Sequence, residues 1–381
     1  MSNTRMQLGG RRRSLVWFAG VSLILALLAG CGPSSAELAA VDYTPLDGAG
    51  FPGSTPEEQG LDPKLVAELV YNASKLDTIY SVLVLKNGTL VAERYFNEGS
   101  VEQEVLMQSV TKSTISALVG IALEQGCLTG IDQKMIAFFP DQAAAIRSSD
   151  PRKAEITIRQ LLQMRSGYPW EESDPGLWEA LVPGDYMPLI AGYPLVSDPG
   201  AEFHYSNLTA YILGAIVARA CDTELRSFAE EHLLFPIGAE AGEWWQDQNG
   251  IHMPFFFSTA RNMARFGQLY LDDGAYEGEQ IVPAQWVDDS LQIYSEDAWN
   301  IRVGGNFRDV GYGYQWWSVQ AGDHRYNMAW GHGGQQIVLL DAQDLVVVVT
   351  ADPFFREHDD ESWKHERANL NLVADFIASL P

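Results

Sequence analysis

The sequence predicts an α+β fold: an antiparallel sheet built from both termini, flanked by helices and interrupted by an inserted, mainly helical lobe. Three observations predict it. A hairpin pattern stands early in the chain, β-rich runs return only late, and the long stretch between them has helical spacing. Strands from the two ends then share one sheet, and the cleft between sheet and lobe is where ligands usually bind.

Residues 1–30 stand apart from that fold. Arg11, Arg12 and Arg13 precede an uncharged apolar run from Leu15 to Ala29, too short and too early for a spanning helix, which predicts a secretory signal peptide. The run closes on Leu28-Ala29-Gly30-Cys31, which resembles the lipobox of bacterial lipoproteins. That resemblance implies cleavage before Cys31, a lipid on its sulfur, and an exported protein held on the membrane of the cell envelope. Residues 31–54 are rich in Ala, Gly, Pro and Ser and read as a flexible tether.

The globular domain is expected over 55–375, with an α/β part at about 55–108 and 305–381 and the helical lobe at about 109–304. Thr55-Pro56-Glu57-Glu58 has the form of a helix start, followed by Leu65, Val66, Leu69 and Val70 at helical spacing. Tyr80 to Leu85 and Leu90 to Phe96 are β-rich runs joined through Asn87-Gly88, a hairpin turn signal. From Ser109 the period changes: Ile115, Leu118, Val119, Ala122 and Leu123 form an apolar stripe ending near Gly126. Shorter helical runs follow at Ile158 to Met164 and Leu208 to Ala220. Gly313 to Val319, Ile337 to Leu340 and Leu345 to Thr350 are again β-rich, with a turn at Asp341 to Asp344 and a closing helix from about Trp363 to Leu380.

With 46% hydrophobic and 20% charged residues in 381, the chain can bury a sizeable core. Its formal net charge of −25 falls to about −29 without the four arginines of the first thirty residues, which excludes nucleic acid as a partner. Cys127 and Cys221 follow two of the expected helices; in an exported protein they pair or stay as buried thiols, and the sequence leaves both open.

Ser109-Val110-Thr111-Lys112 is the chain's only Ser-x-x-Lys. Three residues apart on a helix, the hydroxyl and the amine share a face, as a nucleophile and its base must. About 0.5 such spacings arise by chance, and a serine opening a helix is more often a cap. Tyr205-Ser206-Asn207 precedes a second helix, but Tyr95-Phe96-Asn97 has the same spacing. Trp330-Gly331-His332-Gly333-Gly334-Gln335 sets a histidine among glycines, where missing side chains let a substrate approach the backbone. The seven histidines have no metal-ligand spacing, and Gly-x-Ser-x-Gly is absent, so neither a metal nor a cofactor is expected and a nucleophile elbow is excluded. Trp170, Trp244, Trp245, Trp316, Trp317 and Trp330 are candidates for a cleft wall, with core or rim packing expected of most; Glu171, Glu172 and Asp174 follow a Ser-Gly turn and read as a solvated loop, the alternative being the border of the cleft.

Taken in order, Ser109-x-x-Lys112, Tyr205-x-Asn207 and His332-Gly333-Gly334 resemble the three motifs of the class C β-lactamase and penicillin-binding serine hydrolase superfamily. A lysine usually opens the third motif there. Histidine in its place looks more like the esterases, D-amino peptidases and 6-aminohexanoate-dimer hydrolases of the same superfamily, as do Leu161 to Gly167, Ala260 to Gly267 and Val282 to Val287. The resemblance implies a β-lactamase/transpeptidase-like fold and hydrolysis of a small amide or ester through an acyl-Ser109 intermediate. Within it Lys112 is the base, Tyr205 rather than Tyr95 the proton donor, and Asn207 a partner of Lys112 and substrate. The backbone N–H groups of Ser109 and Gln335 form the oxyanion hole beside Gly333 and Gly334, and His332 contacts the substrate. To act as a base Lys112 must lose its proton, which at pH 7 costs about 4.6 kcal/mol for an unperturbed lysine. The competing expectation is a non-catalytic surface lipoprotein that binds cell-wall peptides or a protein partner.

Overall fold

The segment expected as a tether lies folded on the domain in the computed structural model, which describes residues 32–48, 50–181, 184–296, 298, 303–355 and 362–381. Ser34 and Glu37 form a reciprocal capping box that starts helix α1 (Ser35–Ala39) and buries Leu38. Leu46 then donates its N–H to the Glu93 carboxylate, and the 50–54 stretch pairs beside Leu90. Local capping and backbone pairing therefore override a composition that reads as flexible. The signal peptide and Cys31 lie outside the described residues.

The first long helix, α2 (Pro63–Ala73), starts later than the Thr55 pattern predicts. Glu57–Gln59 is a single 3₁₀ turn stopped by Gly60 at φ 73°, and Asp62 caps the true start ahead of Pro63. The expected hairpin follows, β1 (Ile79–Lys86) and β2 (Thr89–Tyr95), with Asn87 and Gly88 both at positive φ, 52° and 67°. β3 (Val105–Leu106) leads into α3 (Val110–Glu124). The lobe continues through α4 (Ala143–Ser149), α5 (Ile158–Leu162), α6 (Pro175–Leu181), α7 (Met187–Gly192), α8 (Asn207–Ala220) and α9 (Leu225–Ala229). β4 (Trp244–Gln246) and β5 (His252–Ser258) join β3 in a small sheet of order β3-β5-β4. After α10 (Ala260–Leu271), the short hairpin β6 (Ala275–Tyr276) and β7 (Glu279–Gln280), and α11 (Ala284–Leu291), the chain returns to the main sheet.

There it adds β8 (Arg308–Tyr312), β9 (Trp317–Ala321), β10 (His324–Gly331), β11 (Gln335–Leu340) and β12 (Leu345–Ala351), and ends in α12 (Ser362–Ala378). Among the described residues the main sheet has seven strands, all antiparallel, in the order β2-β1-β12-β11-β10-β9-β8. Strands from the two ends of the chain meet at β1 and β12, the α+β arrangement expected. The β-rich run from Gly313 to Val319 straddles a turn instead of forming one strand, because Gln315 takes φ 63° between β8 and β9.

Both faces of this sheet are covered. Leu83, Leu85, Val346 and Val348 face one core with α3, α8 and α10, while Val82, Val84, Val347 and Val349 face another under α2 and α12. Two-sided burial explains why β12 reads Leu-Val-Val-Val-Val with no polar alternation, and each such valine contributes about 2 kcal/mol over exposure. α10 seats Gly267 against Ile337 and Val346, where a Cβ would stand 2.7–2.8 Å from their methyl groups. Its Arg261 pairs with Glu93 of β2 at 2.7 Å, tying lobe to sheet.

α3 departs from its expected single stripe: Val110 to Ala122 are all buried, polar residues included. It runs between the sheet, α8, β5 and α11, and Gly120 lies flat against the Trp286 indole. Cys127 and Cys221, just past the ends of α3 and α8, are joined in a disulfide with Cα atoms 5.0 Å apart.

Candidate active site

Ser109 holds the N-cap position of α3, yet its hydroxyl makes no capping bond to that helix. It accepts from Lys112 Nζ at 2.8 Å instead, one turn on along the same face. The same Nζ donates to Asn207 Oδ1 at 2.8 Å, so the ammonium bridges the starts of α3 and α8. Ser206 caps α8 through Thr209, which fixes Asn207 as its first residue. Gln108, immediately before the serine, is held at φ 51°, a conformation with a steric cost for a residue with a Cβ.

Lys112 is almost wholly buried, and loss of solvation brings its pKa down from 10.5 to about 8 against the opposing pull of Glu172 and Glu171. Deprotonation at pH 7 then costs about 1 kcal/mol instead of several. Its nitrogen lies 5.1 Å from the centre of the Tyr205 ring. Burial, reinforced by Glu172, holds the Tyr205 phenol far above its usual range, while hydrogen bonding with Ser109 opposes that shift. Tyr205 therefore keeps its proton and Lys112 is the group readied to take one. Tyr95, with the same x-Asn spacing, lies elsewhere, donating to Glu93 at 2.6 Å.

Of the acids expected in a solvated loop, Glu172 and Asp174 are exposed but Glu171 is not. Glu171 is fully buried, and its carboxylate accepts from Ser206 Oγ at 2.7 Å, the Asn207 N–H at 2.9 Å and the Leu208 N–H at 3.1 Å. An anion at the positive end of α8 satisfies donors that the helix itself cannot. Burial still raises its pKa, and those hydrogen bonds work against the rise. Glu172 accepts from Asn207 Nδ2 at 3.1 Å, so both polar ends of that amide are engaged and its orientation is set.

The third motif is the turn that joins β10 to β11. Gly331 ends β10 directly opposite Gln335, and a Cβ on Gly331 would strike the Met107 carbonyl, which puts this corner against the chain entering Ser109. Gly333 and Gly334 take φ 80° and 91°, and Cβ atoms there would meet Pro353 at 2.6 Å and Asn369 at 2.5 Å. Backbone conformation and protein packing, not substrate approach, thus require these glycines. The Gln335 side chain is tied to Ala351 of β12, leaving its backbone as the part near the site. His332 is half exposed and its Nδ1 lies 2.9 Å from Glu366 of α12, which also accepts from Trp330 Nε1 and the Gly333 N–H.

Two clefts meet at this cluster, sharing Ser109, Glu172 and His332. One, of about 340 Å³, is walled by Tyr205, Trp170, Trp317, Trp330 and Trp363; the other, of about 350 Å³, by Leu106, Trp245, Phe255 and Phe354. Of the six candidate tryptophans, four thus line the clefts, more than expected, while Trp244 and Trp316 pack in the core. Among the described residues no group of three or more His, Cys, Asp or Glu is arranged to hold a metal ion. Sequence reasoning missed Glu171 as a helix clamp, Glu366 and Trp363. The only signal for them was an acid following a Ser-Gly turn and a closing helix with polar and aromatic residues together.

Residues 80–372 match the family described as Beta-lactamase. A 6-aminohexanoate-dimer hydrolase of Paenarthrobacter ureafaciens is 25% identical over 289 residues, 70% of this chain and 70% of that protein. Beta-lactamase-like protein 2 of Dictyostelium discoideum is 21% identical over 200 residues, 51% of this chain; the match spans 34% of that longer relative. Among solved structures, a putative 6-aminohexanoate-dimer hydrolase from Bacillus anthracis superposes with a TM-score of 0.64 at 21% identity, covering 80% of this chain and 81% of that one. EstCE1, a hydrolase with promiscuous acyltransferase activity, gives a TM-score of 0.65 at 16% identity over 83% and 99% of the two chains. These two superpositions share the sheet-and-lobe fold.

Proposed function

The chain belongs to the Beta-lactamase family, and from that premise we propose that it is a Ser-x-x-Lys serine hydrolase that cleaves a small amide or ester through an acyl-Ser109 intermediate. The observation that carries this reading is Lys112 Nζ, buried and 2.8 Å from both Ser109 Oγ and Asn207 Oδ1. Neutral Lys112 takes the Ser109 proton as Oγ attacks the acyl carbon. The oxygen of the tetrahedral intermediate sits between the backbone N–H groups of Ser109 and Gln335. Tyr205, kept protonated by burial, gives its proton to the departing nitrogen or oxygen and regains one from the Lys112 ammonium. Water then attacks the acyl-enzyme with the proton moves reversed, releasing acid and Ser109.

His332, where the related motif usually has lysine, makes β-lactam turnover the narrower option, and 6-aminohexanoate-type linear amides and simple esters the broader ones. We also propose that residues 1–30 direct export and that Cys31 carries a lipid; the Cys127–Cys221 disulfide supports an oxidising compartment. Turnover of chromogenic esters, D-amino acid amides, linear oligoamides and a chromogenic cephalosporin by wild type, Ser109→Ala and Lys112→Ala tests the hydrolase reading. Both variants are expected to lose at least about a thousandfold in kcat/KM on whichever substrate is cleaved; equal turnover in all three would overturn it.

A further inference from the structure

We propose that the aromatic cleft beside Ser109 is a cage for an alkylammonium group, so that the ester or amide cleaved carries a quaternary or N-alkylated cation on its departing half. The inference rests on the hydrolase reading above. Four indoles and one phenol wall this cleft and pack into one continuous aromatic surface: Tyr205 stacks on Trp317 at 5.3 Å, Trp330 on Trp363 at 6.3 Å, and the two pairs meet at Trp317 and Trp330, 5.4 Å apart, so an ammonium rests against this wall and not between its rings. Aromatic faces are negative at their centres and attract a cation without needing a hydrogen bond from it.

The charged lining has the same sign preference. Among the described residues that line the cleft, Glu172 and Glu366 are acids and the basic side chain is His332, itself 2.9 Å from Glu366. The other cation nearby, Lys112, is buried beneath Ser109 and already held by Ser109 and Asn207. Both carboxylates already accept protein hydrogen bonds, Glu172 from Asn207, and Glu366 from Trp330 and Gly333. They supply field more readily than further acceptor sites, which suits a quaternary or heavily alkylated ammonium better than a primary amine. The chain's formal charge of −25 adds to that field.

Tyr205 orients the substrate. The proton donor to the leaving group lines the aromatic cleft and not the second one, so the cation belongs to the departing alcohol or amine and the acyl part turns toward Leu106 and Phe255. For an aminoalcohol ester, Ser109 Oγ bonds to the acyl carbon, the ester C–O bond breaks, and the alcohol leaves with the Tyr205 proton and its ammonium intact. Water then releases the acid.

Two measurements test the cage. Acetylthiocholine and 3,3-dimethylbutyl thioacetate have nearly the same shape and differ in one positive charge; thiol release by wild type should favour the first about tenfold or more in kcat/KM, and Trp363→Leu should bring that ratio below about threefold. Calorimetry on Ser109→Ala should detect choline but not 3,3-dimethylbutan-1-ol. Equal kcat/KM for the two thioesters overturns the cage while leaving the hydrolase intact. If neither thioester is cleaved, the calorimetric comparison decides: choline binding alone supports the cage with the hydrolase reading failing for these esters, and no preference for choline sinks it.

Discussion

At the scale of single residues, burial is what turns ordinary side chains into reactive ones. Lys112 lies in a dry site where its ordinary pKa of 10.5 falls to about 8, and kcat/KM should accordingly rise with pH through a group titrating near 8. The same shift has a stability consequence. Between about pH 8 and 10.5 the unfolded chain holds the Lys112 proton and the folded one does not, so stability rises with pH across that window. Urea unfolding at several pH values should show this rise in the wild type and a smaller one in Lys112→Met, where Lys153, which burial also brings down to about 8, still contributes. Glu171 is the other decisive residue. Its carboxylate satisfies Ser206, Asn207 and Leu208 at once, and Glu171→Ala strands those donors in the interior, at a cost of about 3 kcal/mol by urea denaturation. Because Asn207 holds Lys112, kcat/KM should fall in the same variant, by about a hundredfold or more once Asn207 shifts by an ångström. The role of Glu171 was not legible beforehand. Glu171 acts on residues 35 to 37 positions away, and no local spacing encodes that distance. That Ser109, Lys112, Tyr205 and Asn207 lie together was expected from the order of the three motifs, because spacing alone reads Ser109 as a cap and does not separate Tyr205 from Tyr95.

At the scale of elements, the two helices that carry the site are fixed at both ends. α3 and α8 start at Ser109 and Asn207 and finish beside Cys127 and Cys221, whose disulfide closes a loop of 94 residues. Cys127→Ser with Cys221→Ser should lower stability by about 3 kcal/mol in denaturant unfolding. Reductant should have that effect on the wild type and none on the double variant. Gly120→Ala tests the crowding of α3 more directly: its Cβ enters the Trp286 ring, and a loss of about 2 kcal/mol is expected. The hairpin, the β11–β12 pair and the closing helix were legible from turn chemistry and apolar runs. β10 was missed, although Tyr326, Met328 and Trp330 alternate along it, because His324, Arg325 and Asn327 make it read as a polar loop. The β3-β5-β4 sheet was missed for another reason: a two-residue strand exists only through its partner.

At the scale of the whole molecule, the sheet joins the two ends of the chain and the lobe closes over it, so the site forms where three distant segments converge. A net charge of −25 and an acidic, tryptophan-lined cleft give the surface and the site one electrostatic preference, against anionic ligands. Export belongs to this scale too. Metabolic labelling with a palmitate analogue should mark the wild type, and Cys31→Ser should abolish the label; a variant that still takes it up contradicts lipidation at Cys31.

Everything about the chemistry depends on Ser109 becoming covalently acylated, and mass spectrometry of the trapped enzyme reads this directly. A fluorophosphonate should add one adduct to the intact protein, mapped after digestion to the peptide containing Ser109, with labelling abolished in Ser109→Ala and slowed at least about a hundredfold in Lys112→Ala. An adduct on another residue, or an undiminished rate in Ser109→Ala, contradicts the account.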